Sequence, residues 1–135
     1  MKTPESDAKR ILVVEDEPGI GNLCQRVLTR EGFEAHIAVN GEMARRMIEE
    51  HKYSLLLLDI RMPVMTGKEL YQWLEETHPQ LISRVIFTSG SVIGTDTAIF
   101  LEQTGRPYLP KPFTAAELIA IVRETLRQLG KQAEN

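Results

Sequence analysis

Short apolar runs recur along the chain at Ile11–Val14, Leu55–Leu58, Val85–Phe87 and Tyr108–Leu109. A further segment, Phe33–Val39, is apolar only at every second position, Phe33, Ala35, Ile37 and Val39. Continuous runs predict strands buried on both faces, and the alternating segment predicts a half-buried or edge strand. Between them the apolar spacing lengthens to three and four, as on one face of a helix. Ile20, Leu23, Cys24, Val27 and Leu28 follow it, as do Met43, Ala44, Met47 and Ile48. Leu70, Trp73 and Leu74 come after a capping box, Thr66-x-x-Glu69, and Leu118, Ile121, Val122 and Leu126 after another, Thr114-x-x-Glu117. Ala98–Gln103, closed by Gly105, completes the helical segments. A strand followed by a helix, repeated five times, predicts a parallel sheet with helices on both faces. Right-handed crossovers make it a doubly wound α/β fold.

Such a sheet binds ligands outside the carboxyl ends of its strands, where the strand order reverses. The residues at those ends therefore decide the chemistry. The first run ends on Glu15-Asp16 and the third on Asp59. The fourth ends on Thr88-Ser89, and Lys111-Pro112-Phe113 follows the fifth. Taken singly, each reads as a solvated strand end or a cap. Together they place three carboxylates, hydroxyls and one lysine on a single edge. Crowded carboxylates repel, and a divalent cation offsets that repulsion. Oxygen ligands without a His or Cys cluster favour Mg²⁺. The lysine suits a phosphoryl oxygen as a point charge, and Thr88 can donate to another. An aspartate among these groups can accept a phosphoryl group.

Composition narrows the setting. Of 135 residues, 42 % are apolar and 26 % charged, which fits one globular domain rather than a disordered segment. The net charge of −3 and the lack of a Lys/Arg-rich run give no sign of a nucleic-acid surface. Leu55–Leu58 is far too short to span a membrane, and residues 1–10 carry no apolar signal core. Cys24 is the single cysteine, which excludes an intrachain disulfide and suits a reducing, cytoplasmic setting. Polar segments 1–8 and 131–135 flank a domain expected over 9–130.

The acidic pair Glu15-Asp16, the motif LLLLD-x-x-MP-x-x-x-G over Leu55–Gly67, Thr88 after the fourth strand and KPF at 111–113 resemble the receiver domain of bacterial response regulators. The likeness runs from about Ile11 to about Leu129. It implies a flavodoxin-like, five-stranded parallel sheet of order 2-1-3-4-5 with five helices. It also implies a phosphorelay switch that catalyses its own phosphorylation and dephosphorylation and has no conventional substrate turnover. On this resemblance Asp59 is the phosphoacceptor. Asp16 binds Mg²⁺ directly, Glu15 binds it through water, and the backbone carbonyl of Arg61 is a further ligand. Thr88 and Lys111 contact the phosphoryl group, and Lys111-Pro112 is a cis peptide. Tyr108 takes the aromatic switch position, and Gly67 lets the loop after Asp59 turn. The implied partner is a sensor histidine kinase or histidine phosphotransfer protein, and homodimer formation is compatible with the family. No second domain is expected after the fifth helix pattern, which leaves a stand-alone receiver and a hybrid-kinase receiver both open, the resemblance over Phe100–Phe113 favouring the latter. Departures from the family pattern are Glu15 where many members have Asp, Ser89 after Thr88, and Pro110 before Lys111.

Other readings fit less of the chain. Thr88-Ser89-Gly90-Ser91 with Gly94-Thr95 could cradle the phosphate of FMN in a flavodoxin-like module, but it leaves Asp59 and Lys111 without work. Gly19-Ile20-Gly21 lacks the third glycine of a dinucleotide fingerprint. A haloacid-dehalogenase-type site needs an acid at position 61, which is Arg61. His36, His51 and His78 are expected at the surface, Met43, Met47, Cys24 and Trp73 in packing roles, and Arg45-Arg46 with Glu49-Glu50 on a solvated helix face.

Overall fold

A computed structural model describes residues 9–62, 64–90 and 94–134. The polar segment 1–8 and Ser91 of the serine–glycine stretch lie outside the described residues. The strands are β1 (Arg10–Val14), β2 (Glu34–Ala38), β3 (Leu55–Asp59), β4 (Val85–Ser89) and β5 (Tyr108–Pro110). The helices are α1 (Pro18–Arg30), α2 (Gly41–Glu50), α3 (Gly67–Thr77), α4 (Thr95–Thr104) and α5 (Ala115–Glu134), and a 3₁₀ turn, Pro79–Arg84, leads into β4. All strand pairs are parallel and the order is β2-β1-β3-β4-β5, the doubly wound arrangement expected from the alternation.

The two-residue period of a strand sorts the leucines of β3. Leu55 and Leu57 join Ile11, Val13, Ile86 and Leu109 beneath Cys24, Leu28, Leu118 and Val122 of α1 and α5. Leu56 and Leu58 join Leu12, Val14 and Phe87 beneath Ala44, Ile48, Leu70 and Leu74 of α2 and α3. With helices on both faces, none of these leucines meets solvent, and burying each contributes about 1.5–3 kcal/mol. Tyr71, Phe87 and Phe100 meet in an aromatic triangle with ring centroids 5.4–5.7 Å apart, which ties α3 and α4 to the sheet. Met43, Met47 and Trp73 pack against this core and Cys24 lies inside the other, as expected.

Both predicted capping boxes form. Thr66 Oγ1 accepts from the Glu69 amide while Glu69 reaches back to the Thr66 amide. Thr114 and Glu117 repeat the exchange at the start of α5. Gly105 closes α4 in the left-handed region at φ 65°. Residues Lys131–Glu134 continue α5.

Some local expectations change. In β2 the inward positions are Ala35 and Ala38, while Val39 lies past the strand and is 47 % exposed. His36 and His78 are half-buried rather than superficial. The His36 ring sits between the Tyr53 hydroxyl at 2.8 Å and the Glu34 carboxylate at 2.9 Å. Arg45 pairs with Glu42 rather than Glu49 and stacks over Trp73 at 5.1 Å. Gly67 serves space rather than backbone freedom. It is the first residue of α3, and a Cβ there would stand 2.4 Å from the Asp59 carbonyl oxygen and 2.8 Å from the Ile60 Cα. The helix thus begins hard against the end of β3, and both contacts are backbone atoms that cannot swing away. Gly67→Ala should therefore destabilise the fold by about 3 kcal/mol, read as a lower urea midpoint at unchanged slope. An unchanged midpoint would refute the close-packing account.

Candidate functional site

At the carboxyl edge of the sheet β1 delivers Glu15 and Asp16, and its neighbour β3 delivers Asp59. β4 ends on Thr88 and Ser89, and the chain beyond β5 supplies Lys111. The pairing of Asp59 with Thr88 and of Thr88 with Leu109 puts these ends level. Every expected strand-end residue is thus brought to one place, the switch between strands 1 and 3 where the order reverses.

Each of Glu15, Asp16 and Asp59 offers one carboxylate oxygen, and these oxygens lie within 4.8 Å of one another. Glu15 and Asp59 are buried at 3 % exposure, and Asp16 is half-buried. An all-oxygen donor set of this spacing suits a hard divalent cation such as Mg²⁺. The lysine does more here than the sequence argument asked of it. Lys111 Nζ donates to Asp59 Oδ2 at 2.9 Å and lies 2.7 Å from Glu15 Oε1. It therefore offsets the carboxylate repulsion itself. Gly90 lies along its stem, where a Cβ would meet Lys111 Cδ at 3.3 Å. Gly90, within the stretch considered as a flavin-phosphate cradle, thus lies against the lysine.

Backbone amides complete the carboxylate shell. The Arg61 amide donates to Asp59 Oδ1 at 3.0 Å, and the Glu17 amide to Glu15 Oε2 at 3.1 Å. Lys111-Pro112 is cis. Tyr108 is half-buried, and its hydroxyl donates to the Ser89 carbonyl at 3.3 Å, which links β5 to the residue after Thr88.

The electrostatics follow from burial. Desolvation pushes the Glu15 carboxyl up to about 7, against the opposing hydrogen bond from Lys111. Burial would lower the Lys111 ammonium, but its hydrogen bonds to Glu15 and Asp59 outweigh that and raise it, so it stays charged. Cys24, buried in the core on the α1 side, is pushed up to about 12 by desolvation. Its thiol is inert, consistent with a packing role. Burial also raises the Tyr108 phenol.

One neighbour was not anticipated. Glu17, 62 % exposed, brings Oε1 to 3.6 Å from Lys111 Nζ at the rim of the cluster. Its signal was present, since Glu17 directly follows the acidic pair, but only the fold shows that the start of α1 turns it back toward the lysine. The Asp59–Arg61 amide bond also had no sequence signal, because it depends on how the chain bends after β3.

The model of the response regulator receiver domain family matches residues 11–123. Among curated proteins the chain is 34 % identical over 119 residues to the transcriptional regulatory protein CpxR of Escherichia coli K12, covering 88 % of the chain and 50 % of that protein. It is 36 % identical over 124 residues to PrrA of Mycobacterium tuberculosis, covering 92 % of the chain and 52 % of PrrA. The chain thus spans about half the length of these relatives. Among solved structures, a CheY-like receiver domain protein from Methanospirillum hungatei JF-1 superposes with a TM-score of 0.85 at 28 % identity, covering 93 % of this chain and 99 % of that one. The receiver domain of a LuxO repressor-like protein from Vibrio parahaemolyticus superposes at 0.81 with 27 % identity, covering 95 % and 98 %. With the acidic cluster and lysine at the edge where the sheet reverses, and with the family model spanning nearly all of the described chain, the protein belongs to the response regulator receiver domain family.

Proposed function

We propose that Asp59 is the phosphoacceptor of this receiver and takes its phosphoryl group from a phosphohistidine on a sensor histidine kinase or a phosphotransfer protein. The observation that carries the reading is the junction of three carboxylate oxygens within 4.8 Å with a buried lysine on two of them. A carboxylate oxygen of Asp59 attacks phosphorus, a P–O bond forms, the P–N bond to the donor breaks, and the leaving nitrogen takes a proton. Attack of water on the same phosphorus later releases inorganic phosphate and restores the carboxylate. Lys111, already 2.9 Å from Asp59 Oδ2, passes its hydrogen bond to a phosphoryl oxygen. Asp16 and Asp59 would hold Mg²⁺ directly, Glu15 through water, with the Arg61 carbonyl as a further ligand. Bound Mg²⁺ supplies positive charge to the phosphoryl oxygens.

Thr88 is assigned the signal-bearing hydroxyl. It is buried at the end of β4, next to Ser89, whose carbonyl holds Tyr108. Drawing Thr88 toward a new phosphoryl group strains that carbonyl link and shifts β5 and its neighbouring helices. No helix among the described residues is long and apolar enough to cross a membrane. We place the domain in the cytoplasm, where such donors act.

Three measurements test this reading. Incubation with phosphoramidate and Mg²⁺ should add one phosphoryl group by intact mass. Asp59→Asn should remove the gain entirely, because the amide is a poor nucleophile; retained labelling would refute the acceptor assignment.

Magnesium affinity should depend on pH with a definite sign. Without metal, Glu15 holds a proton up to about pH 7. Binding as the carboxylate must release that proton, so affinity falls about tenfold per pH unit below 7 and levels off above it. Without metal, a folded value above the ordinary 4.5 means that Glu15 favours the fold at low pH and loses that contribution as pH rises from about 4.5 to 7. Calorimetric titrations in buffers of different ionisation enthalpy count the protons, and a flat profile from pH 6 to 8 would contradict the burial argument.

Thr88→Ala should still fold and accept phosphate, but the phosphorylation-induced change in the Tyr108 ring resonances should vanish. A full change in that variant would break the proposed coupling.

A further inference from the structure

Three tyrosines occur in the chain. Two of their hydroxyls are bonded, Tyr53 to His36 and Tyr108 to the Ser89 carbonyl. Tyr71 is the exception. It is 4 % exposed and its ring is held against Phe87 and Phe100, yet its hydroxyl has no hydrogen-bond partner among the described residues. Buried polar groups are normally bonded, because leaving one unpaired is costly. The hydroxyl is not sealed in, since Tyr71 lines a groove of about 330 Å³ between α3 and α4. Only water or a ligand in that groove can bond it. Burial, with the Glu75 carboxylate near it, raises the phenol, so it stays an O–H donor.

The other polar groups of the groove are also uncommitted. Lys68, Gln72 and Glu75 share one stripe of α3 with Tyr71, and Gln103 lines the same groove from α4. Among the described residues none of these four side chains is hydrogen-bonded or ion-paired; the Lys68 ammonium lies over the Phe100 ring at 5.3 Å. Lys68 and Glu75 are seven residues apart, which sets a cationic and an anionic position about 10 Å apart along the helix. Between them the two glutamine amides and the phenol offer neutral donors and acceptors. A carboxamide matches a peptide group, donor to acceptor.

We propose that this groove binds a short zwitterionic peptide, with its carboxylate at Lys68, its ammonium at Glu75 and a peptide group on the Tyr71 hydroxyl and the glutamine amides. About three residues of extended chain cover the distance. Such a ligand touches both helices and ties α4, whose only buried residue is Phe100, to α3. The receiver thereby takes a small-molecule input. The site uses no residue of the acidic cluster, so it stands or falls apart from the phosphoacceptor reading.

Calorimetric titration of the full chain with trialanine tests this, with N-acetyl-trialanine amide as a blocked form that lacks both charges. Trialanine should bind with a Kd of about 1 mM or tighter, and the blocked form about tenfold or more weakly. Tyr71→Phe keeps the ring in its aromatic triangle and removes only the hydroxyl. That variant should melt no lower than the native chain and bind trialanine about tenfold more weakly. Lys68→Ala and Glu75→Gln should each weaken trialanine to a similar degree. Amide shifts on binding should concentrate in α3 and α4, and hydrogen exchange along α4 should slow. No binding at about 10 mM trialanine, equal binding of the blocked form, undiminished binding by Tyr71→Phe, or shifts centred on other elements would each overturn the proposal. So would a lower melting temperature for Tyr71→Phe, which would show the hydroxyl to be bonded already.

Discussion

One ammonium group organises the working edge of this domain. Lys111 arrives from beyond β5, two strands away from β3, and sets its charge between Glu15 and Asp59. Two carboxylates this deeply buried repel each other, and the ammonium between them offsets that repulsion. The lysine sets one positive charge against both carboxylates in a shielded place. The same bonds tie the end of β1, the end of β3 and the chain past β5 into one charged knot. Packing supplies most of the stability, through the leucines and aromatic rings on both faces of the sheet. The knot joins strand ends that the sheet register already sets level.

The parts of this arrangement that were legible in the sequence are those carried by local pattern. The period-two sorting of Leu55–Leu58 follows from burial on both faces, and the doubly wound sheet follows from the alternation of strand and helix. The two Thr-x-x-Glu boxes mark helix starts because the signal and the bond it makes lie within one turn. Glu15, Asp16, Asp59, Thr88 and Lys111 were legible as a site because strand ends are easy to find and the topology brings them together.

What was not legible depends on contacts between distant segments. Gly67 looks like a flexible turn residue until the helix is seen to start on the carbonyl of Asp59. His36 looks superficial until Tyr53, from beyond α2, and Glu34 of its own strand close around it. The register of β2 misled because Ala38, rather than Val39, is its last inward residue, and alanine carries a weak apolar signal. The six-residue 3₁₀ turn at Pro79–Arg84 has no strong periodicity, yet it brings Arg84 to the Ser54 carbonyl, while Arg106 reaches back to the carbonyls of Ser83 and Val85. These clamps hold the opposite end of the sheet from the acidic cluster.

The attachment of α4 has a consequence for motion. Its only buried residue is Phe100; Ile99 faces solvent, and the helix has little amphipathic character to hold it down. An element held by one buried ring and the half-buried Leu101 opens on its own before the rest of the molecule does. Amide hydrogen exchange along α4 is therefore expected to proceed through a local opening far below the global unfolding free energy, while β1 and β3 exchange only when the whole chain unfolds.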